Sequence, residues 1–471
     1  MSKRYPLVVI GAGGGGLTAA CRAAEKGVKP VLVLEKRPYH GGNSGMAGGW
    51  IFGVESDILK AGGSTKTCEQ VFNEAMNYHH YERIDMELLW HLIKRSAFTM
   101  EWMTGLGAEY KPDGPDCHMP AKLDRDFGYF RTYIDMIRDR LVELGGEIRV
   151  NAAVTKIVAK DGAVRAVEYE DTASGETVTV DCDAVVLSTG GFCGNDELLQ
   201  KYFPEQYEPG KYLTDAIPMD GDGIALAEGA GAKLNDYCTL LKEPNYSFMR
   251  RNSVPNRISG IQFSVWVNRD GRRYCAEDGP PGNGLTNILV RQPGKVGYAL
   301  FDSRMIDDIV TGRRDFPMAA MIDRTMVRDY LTGESKQWVC VSDDLDEIAR
   351  WIGAEPETLA ATVAEYNAAC DKGEDERFGK RAENLLPLRE GPYYAVKFCP
   401  LLIDTFGPVV TDREMRVLGK DDKPIRGMYA SGVITAGWQG RDYYLRGAAL
   451  GLTLTTGLLA GETVSADMEK G

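Results

Sequence analysis

The chain has 471 residues, 54 of them glycine, and a formal net charge of -13 at pH 7. That length is too great for one simple core and predicts two domains, with room for one to be inserted in the other. The acidic balance argues against nucleic acid and anionic membranes as partners, but leaves the substrate open, because a basic pocket can sit in an acidic protein.

The first element is an apolar strand, Tyr5 to Ile10, running into Gly11-Ala12-Gly13-Gly14-Gly15-Gly16 and then a helix. A second strand, Val31 to Leu34, follows and ends at Glu35-Lys36. The glycines have separate tasks in such a unit: Gly11 permits a tight turn, Gly13 lets backbone approach a pyrophosphate, and Gly16 lets helix and strand pack closely. The helix N-terminus offers free N–H groups and a positive dipole end to phosphates. Glu35, roughly 20 residues beyond the last glycine, stands where a ribose hydroxyl needs an acceptor. The unit predicts a dinucleotide site and does not by itself choose between NAD and FAD.

A second glycine stretch, Gly41 to Trp50, gives the backbone another place to lie against a ligand. Residues 66–106 carry helical periodicity, and Tyr133–Leu144 reads as an amphipathic helix closed by Gly145-Gly146. Strands are predicted at 147–150, 154–158, 164–169 and 177–180, with turns at Asp161-Gly162 and Ser174-Gly175. The run Ala184 to Phe192 reads as a buried parallel strand entering a glycine turn. From Asp236 to Tyr394 the βα rhythm is lost, which predicts an inserted domain over 236–394, with 1–235 and 395–471 forming the other. The tail resumes strand character at 427–432 and a helix at 448–463. Ten scattered cysteines with no CxxC spacing argue against a cluster or zinc site and for reduced thiols. The first strand starts within a few residues of Met1, and no apolar run approaches the roughly 20 residues that span a bilayer, so a cytoplasmic location is expected.

The motif set GAGGGG, EKRPYHGGNSGMAGGW, VVLSTGGFCGN, GDGIALAEGAGA, VNRDGRRYCAE and GMYASGVITAG, in that order, resembles the FAD-dependent fumarate reductase and 3-ketosteroid Δ1-dehydrogenase superfamily. The resemblance covers nearly the whole chain. It implies an α/β fold: a Rossmann-like FAD-binding domain with an inserted α+β capping domain. It implies non-covalent FAD, with Gly11, Gly13, Gly14, Gly16, Glu35 and Lys36 at the ADP half beside Val154. Gly42, Asn43, Ser44, Gly48, Gly49, Thr189, Gly190, Gly191, Asp222, Gly223 and Gly432 would follow the rest of the cofactor. Gly447, Ala449 and Leu450 would meet the flavin pyrimidine at a helix N-terminus, where a dipole favours the anion of reduced flavin. Relatives that attach FAD covalently carry a histidine near the position of Gly42; His40 lies on the wrong side of the glycines.

The departures bear on substrate. Fumarate reductases clamp a carboxylate with His-His-Thr-x-Gly-Gly, whereas this chain has Ile403-Asp404-Thr405-Phe406-Gly407-Pro408. An acid at 404 repels a dicarboxylate unless neutral or paired. The position of the proton-donating arginine or tyrosine base falls on Pro281, which transfers no proton; Asp278 and Asn283 are its neighbours. Gly440-Arg441-Asp442-Tyr443-Tyr444-Leu445-Arg446-Gly447 resembles the ketosteroid-enzyme run whose tyrosine donates to the substrate ketone. A donor on the carbonyl oxygen stabilises the enolate formed as the α-proton leaves, so Tyr443 or Tyr444 is the expected donor. Arg446 stands near a fumarate-reductase arginine that grips a carboxylate bidentately, against a structural pairing, for example with Asp442. Tyr129, Tyr133 and His118 are weaker candidates, Arg272-Arg273 reads as a solvated turn, and Val433 replaces a glutamate that touches FAD ribose in relatives. The reading is an oxidoreductase that desaturates or reduces a C–C bond beside a carbonyl, with Asp278, Tyr129 and Arg446 in that order as proton-transfer candidates. A small-molecule ketone, enone or enoate and an external electron donor or acceptor are the expected partners. An enoate reductase using Arg446 and a non-catalytic FAD-binding subunit are the alternatives. No metal is expected.

Overall fold

The computed structural model describes residues 4–121, 130–214, 219–245, 258, 260–279, 283–315, 323–334 and 336–470. It divides into two units. One takes Met1–Tyr202, Ile217–Leu240 and Asp404–Gly471; the other takes Phe203–Ala216 and Leu241–Ile403. Relative to the expected 236–394, the second unit starts and ends later and draws in a short excursion at 203–216. Its far boundary follows from one long strand, Tyr393–Phe406, whose ladder partners at Gly297–Phe301 and Val339–Ser342 hold it in the second unit.

The first unit is built on parallel strands in the order Glu147–Arg149, Val31–Leu34, Tyr5–Ile10, Glu176–Leu187, Pro424–Ala430. Val8, Val9, Leu32, Val33, Val185 and Val186 are fully buried, as continuous apolar runs covered on both faces require. The strands expected at 177–180 and from 184 are one strand. Its first half pairs antiparallel with Ala163–Asp171, and from Cys182 it pairs parallel with Tyr5–Ile10. The strand therefore carries the alternating pattern of a half-exposed sheet and then the continuous pattern of a buried one.

The periodic stretch 66–106 is two helices, Cys68–His79 and Met86–Gly105. A capping box at Thr67 starts the first, His80 ends it in the left-handed conformation, and Asp85 caps the second. The expected helix at 133–144 is Arg131–Glu143, followed by Gly145 at φ +87. The last helix, Ala448–Lys470, lies against the first, Gly14–Glu25, along a face of small residues. A Cβ on Gly457 would come 2.6 Å from Gly15 O, and one on Gly461 2.6 Å from Ala19 O.

The second unit packs helices Ser303–Thr311, Leu345–Ile352 and Pro356–Lys372 around a core that includes Trp266, Phe301, Tyr366 and Phe398. The Asp270-Gly271 turn is present, but Arg273 is not solvated. It is buried, bonded to Glu277 and to Asp375, and Glu277 also pairs with buried Lys380 at 3.1 Å. The turn reverses the chain so that Arg272 faces out and Arg273 faces in, an alternation of two that the sequence motif alone conceals.

Candidate active site

The first glycine turn divides its tasks by geometry. Gly11 sits at φ +100 and donates its N–H to Leu34 O at 2.8 Å. A Cβ on Gly16 would fall 2.0 Å from Gly11 O, whereas one on Gly13 would meet nothing within 4 Å. The first position turns the chain, the last seals helix to strand, and the middle one faces open space. Gly14 looks toward Ser44 Oγ, 2.6 Å from where its Cβ would be.

Glu35 is buried and accepts from Ala12 N–H at 2.9 Å and Arg37 N–H at 3.0 Å. Ala152 donates its N–H to Glu35 O at 2.8 Å, which brings the strand carrying Val154 alongside. Lys36 Nζ donates to Asp220 at 2.6 Å and Asp222 at 2.7 Å, so the start of the helix Asp222–Gly229 joins the same end.

The second glycine stretch folds back on the first turn. Gly41 N–H donates to Ala12 O at 2.8 Å, and Gly42–Met46 forms a short helix. Asn43 Nδ2 donates to Met219 Sδ at 3.4 Å, and Gly191 N–H reaches the same sulfur at 3.3 Å. Gly48 and Gly49, the latter at φ +89, lead to Trp50. Close packing explains the glycines on the facing segment: a Cβ on Gly191 would lie 2.3 Å from Thr405 Oγ1, one on Gly223 1.9 Å from Thr189 Oγ1, and one on Gly190 2.9 Å from Met219 Sδ. Gly432 turns at φ +78 and donates to Thr456 Oγ1 at 2.9 Å. Gly447 turns at φ +73 into the last helix, whose first turn holds Ala449 and Leu450, and its carbonyl accepts from Phe52 N–H at 3.0 Å.

The expected catalytic residues separate. The Tyr443 hydroxyl accepts from Ala449 N–H at 3.1 Å, and its ring stacks on Phe406. Tyr444 stacks instead on Tyr78 at 4.5 Å, and burial with Glu74 nearby pushes its hydroxyl pKa up. Arg446 pairs with Asp113, not Asp442, and lies 5.4 Å over the Trp50 ring. Asp278, in the second unit, accepts from Asn384 Nδ2 at 2.8 Å and from Arg381 N–H at 2.9 Å. Burial alone would raise its pKa, but these bonds from Asn384 and Arg381 hold it below the usual carboxylate range. Tyr129 and Pro281 lie outside the described residues, and Asn283 opens the helix Asn283–Leu289.

His118 is a core residue on the strand Cys117–Pro120. It is fully buried, with Ser56 Oγ at 2.7 Å from Nε2, and burial pushes its pKa down to about 4. The Tyr133 hydroxyl donates to Glu109 O. His40 is held by Asp135 at 2.7 Å and by Arg131. No sequence signal marks Asp113, which sits in a Pro-Asp-Gly-Pro stretch, or Met219.

Four buried oxygens along these segments, Asn43 Oδ1, Thr189 Oγ1, Ser431 Oγ and Thr453 Oγ1, have no hydrogen-bond partner. Buried polar atoms are rarely left so without a ligand or water to meet them. Together with the open face of Gly13 they fit an extended cofactor bearing hydroxyls and phosphates. Among the described residues no group of three or more His, Cys, Asp or Glu is placed to hold a metal ion, and no helix is long and apolar enough to cross a membrane.

The parallel sheet and the glycine turn at its centre, with the unpartnered oxygens beside it, define a dinucleotide-binding protein. The FAD binding domain family matches residues 7–450, and the chain belongs to it, within the fumarate reductase and ketosteroid dehydrogenase superfamily. The chain is 28% identical to a probable fumarate reductase of Shewanella frigidimarina, over 98% of this chain and 75% of that one. It is 26% identical to a vinyl phenol reductase of Lactiplantibacillus plantarum, over 97% and 95%, and 25% identical to a 3-oxosteroid 1-dehydrogenase of Mycolicibacterium smegmatis, over 98% of each. The open form of a flavocytochrome c3 fumarate reductase superposes with a TM-score of 0.77 at 25% identity, covering 99% of this chain and 78% of that one. The protein is an FAD-dependent oxidoreductase acting on carbon–carbon double bonds.

Proposed function

We propose that the protein reduces, or in the reverse direction forms, a C–C double bond conjugated to a ketone-type carbonyl, with non-covalent FAD. When bound, FAD supplies N5 as the hydride donor or acceptor. Gly11, Gly13, Gly16 and Glu35 would hold the ADP half, and Asn43, Ser44, Gly48, Gly49, Thr189 to Gly191 and Asp222-Gly223 the remainder. The pairing of His40 with Asp135 leaves that histidine occupied, which supports non-covalent attachment.

The observation that carries the substrate reading is the Tyr443 hydroxyl at the N-terminus of the last helix. It accepts from Ala449 N–H, which holds the phenol at that helix end. A tyrosine donor beside a helix N-terminus stabilises charge developing on a carbonyl oxygen. Tyr444, turned onto Tyr78, is left as a packing aromatic. Asp278, held ionised, is a poor proton donor and drops from that role. Ile403, standing where fumarate reductases carry a histidine, and the pairing of Arg446 disfavour a fumarate-like substrate. Electrons would come from a separate protein or a diffusible carrier.

Tyr443→Phe is expected to keep the flavin absorbance and lose about 10²-fold in kcat on enones, while Tyr444→Phe changes kcat little. Unchanged turnover in Tyr443→Phe would remove the proposed donor. Reoxidation of the reduced protein only by unsaturated carboxylates would favour the enoate reading, and reoxidation by none of an enone and enoate panel would refute both.

A further inference from the structure

We propose that Asp113 is an internal carboxylate that occupies Arg446 and bars substrate carboxylates from it, making Asp113 a specificity-determining residue; this rests on the carbonyl reading above. Asp113 Oδ2 accepts from Trp50 Nε1 at 2.6 Å and pairs with Arg446 Nη2, while the guanidinium lies over the Trp50 ring. The three side chains form a closed set: one carboxylate, an indole N–H and a guanidinium stacked on the same indole.

An ion pair whose side chains are 50% and 40% exposed is worth little by itself. The backbone gives this one its place. Asp113 lies in the turn between the strands Tyr110–Pro112 and Cys117–Pro120, and its N–H donates to Cys117 O at 2.9 Å. The second of those strands pairs with Ile51–Phe52, directly after Trp50, in the register Ile51↔His118. Phe52 N–H in turn donates to the carbonyl of Gly447, the residue after Arg446. Trp50, Asp113 and Arg446 are thus brought together by two adjoining backbone ladders and one further backbone hydrogen bond, not by the reach of long side chains.

Trp50 follows the Gly48-Gly49 pair, and Arg446 precedes the helix end that carries Ala449, so the set stands beside the segments proposed to hold the flavin. A guanidinium there is the natural grip for a carboxylate, since its planar fork matches two oxygens. With Asp113 in that position, a second carboxylate must either displace it or approach it as a like charge, and both weaken binding. A neutral carbonyl substrate meets neither penalty.

The test uses FAD-loaded protein and follows the absorbance of bound flavin during titration with trans-2-butenoate or its methyl ester, without turnover. Asp113→Asn keeps an acceptor for Trp50 and removes the charge. It is expected to bind butenoate about tenfold more tightly than the unaltered protein, with ester affinity unchanged. Trp50→Phe, which frees Asp113 from its indole donor, should move butenoate binding the same way by a smaller factor. Adding Arg446→Ala to Asp113→Asn should abolish the gain. An equal gain for the ester, a gain that survives Arg446→Ala, or unaltered protein that already binds butenoate as tightly as Asp113→Asn would each overturn the proposal. Because the measurement is of binding, it can fail while the Tyr443 result stands, and the reverse.

Discussion

Two glycines three residues apart make opposite demands on the space around them. Gly16 has no room, with Gly11 O only 2.0 Å from an added Cβ, whereas Gly13 has open space. Gly16→Ala is therefore expected to cost about 3 kcal/mol of stability and FAD affinity with it. Gly13→Ala should leave the urea midpoint of the FAD-free protein unchanged and weaken FAD binding alone. Paired measurements of midpoint and FAD dissociation check this; equal loss of stability in both variants would show that Gly13 is also a packing glycine. These tasks were legible in the sequence because the motif spans a few residues and its geometry is local. The partners of Arg446 and Arg273 were not. Asp113 and Asp375 are remote in sequence, and nothing near an arginine reports which distant acid will reach it.

The helix pair Gly14–Glu25 and Ala448–Lys470 shows the same constraint on a longer element. Their contact depends on Gly457 and Gly461, each with a backbone oxygen 2.6 Å from an added Cβ. Gly457→Ala should push the first helix away, destabilise by about 1–3 kcal/mol, and weaken FAD binding, since the N-terminus of that helix is the proposed phosphate site. Thermal melts with and without FAD measure both effects; a shifted melting temperature with FAD affinity intact would detach the helix contact from the cofactor. Both helices were legible as helices, but the face they share was not, because glycine carries no hydrophobic periodicity. The fused strand Glu176–Leu187 escaped for a related reason: its pattern changes midway, from alternating to continuous, as its partners change from antiparallel to parallel. Such a change in periodicity reads as a break between elements when partners are not visible.

Across the whole molecule, burial of histidines sets a pH response. His118 and His79 are buried, and burial pushes each pKa down from 6.5 to about 4. A depressed histidine contributes its stability above pH 6.5 and loses it as pH falls through about 4, because only the unfolded chain takes up the proton readily. The melting temperature should therefore fall across that window, by an equivalent of about 3 kcal/mol for each histidine. His118→Gln should start lower at neutral pH and fall less steeply; an unchanged slope would place the proton uptake elsewhere. The change in sequence texture near residue 236 is what suggests an inserted domain; the chain divides into units with a junction at Leu240 and Leu241. The boundary at 403 was not visible in the sequence, since the strand that crosses it carries one unbroken apolar pattern. The order in which these pieces leave the ribosome has a consequence of its own. The helix Ala448–Lys470, which packs on the helix Gly14–Glu25, is made long after it. Until then the nascent chain carries the apolar face of its first βα unit uncovered, so cofactor capture is expected to follow synthesis of that later helix.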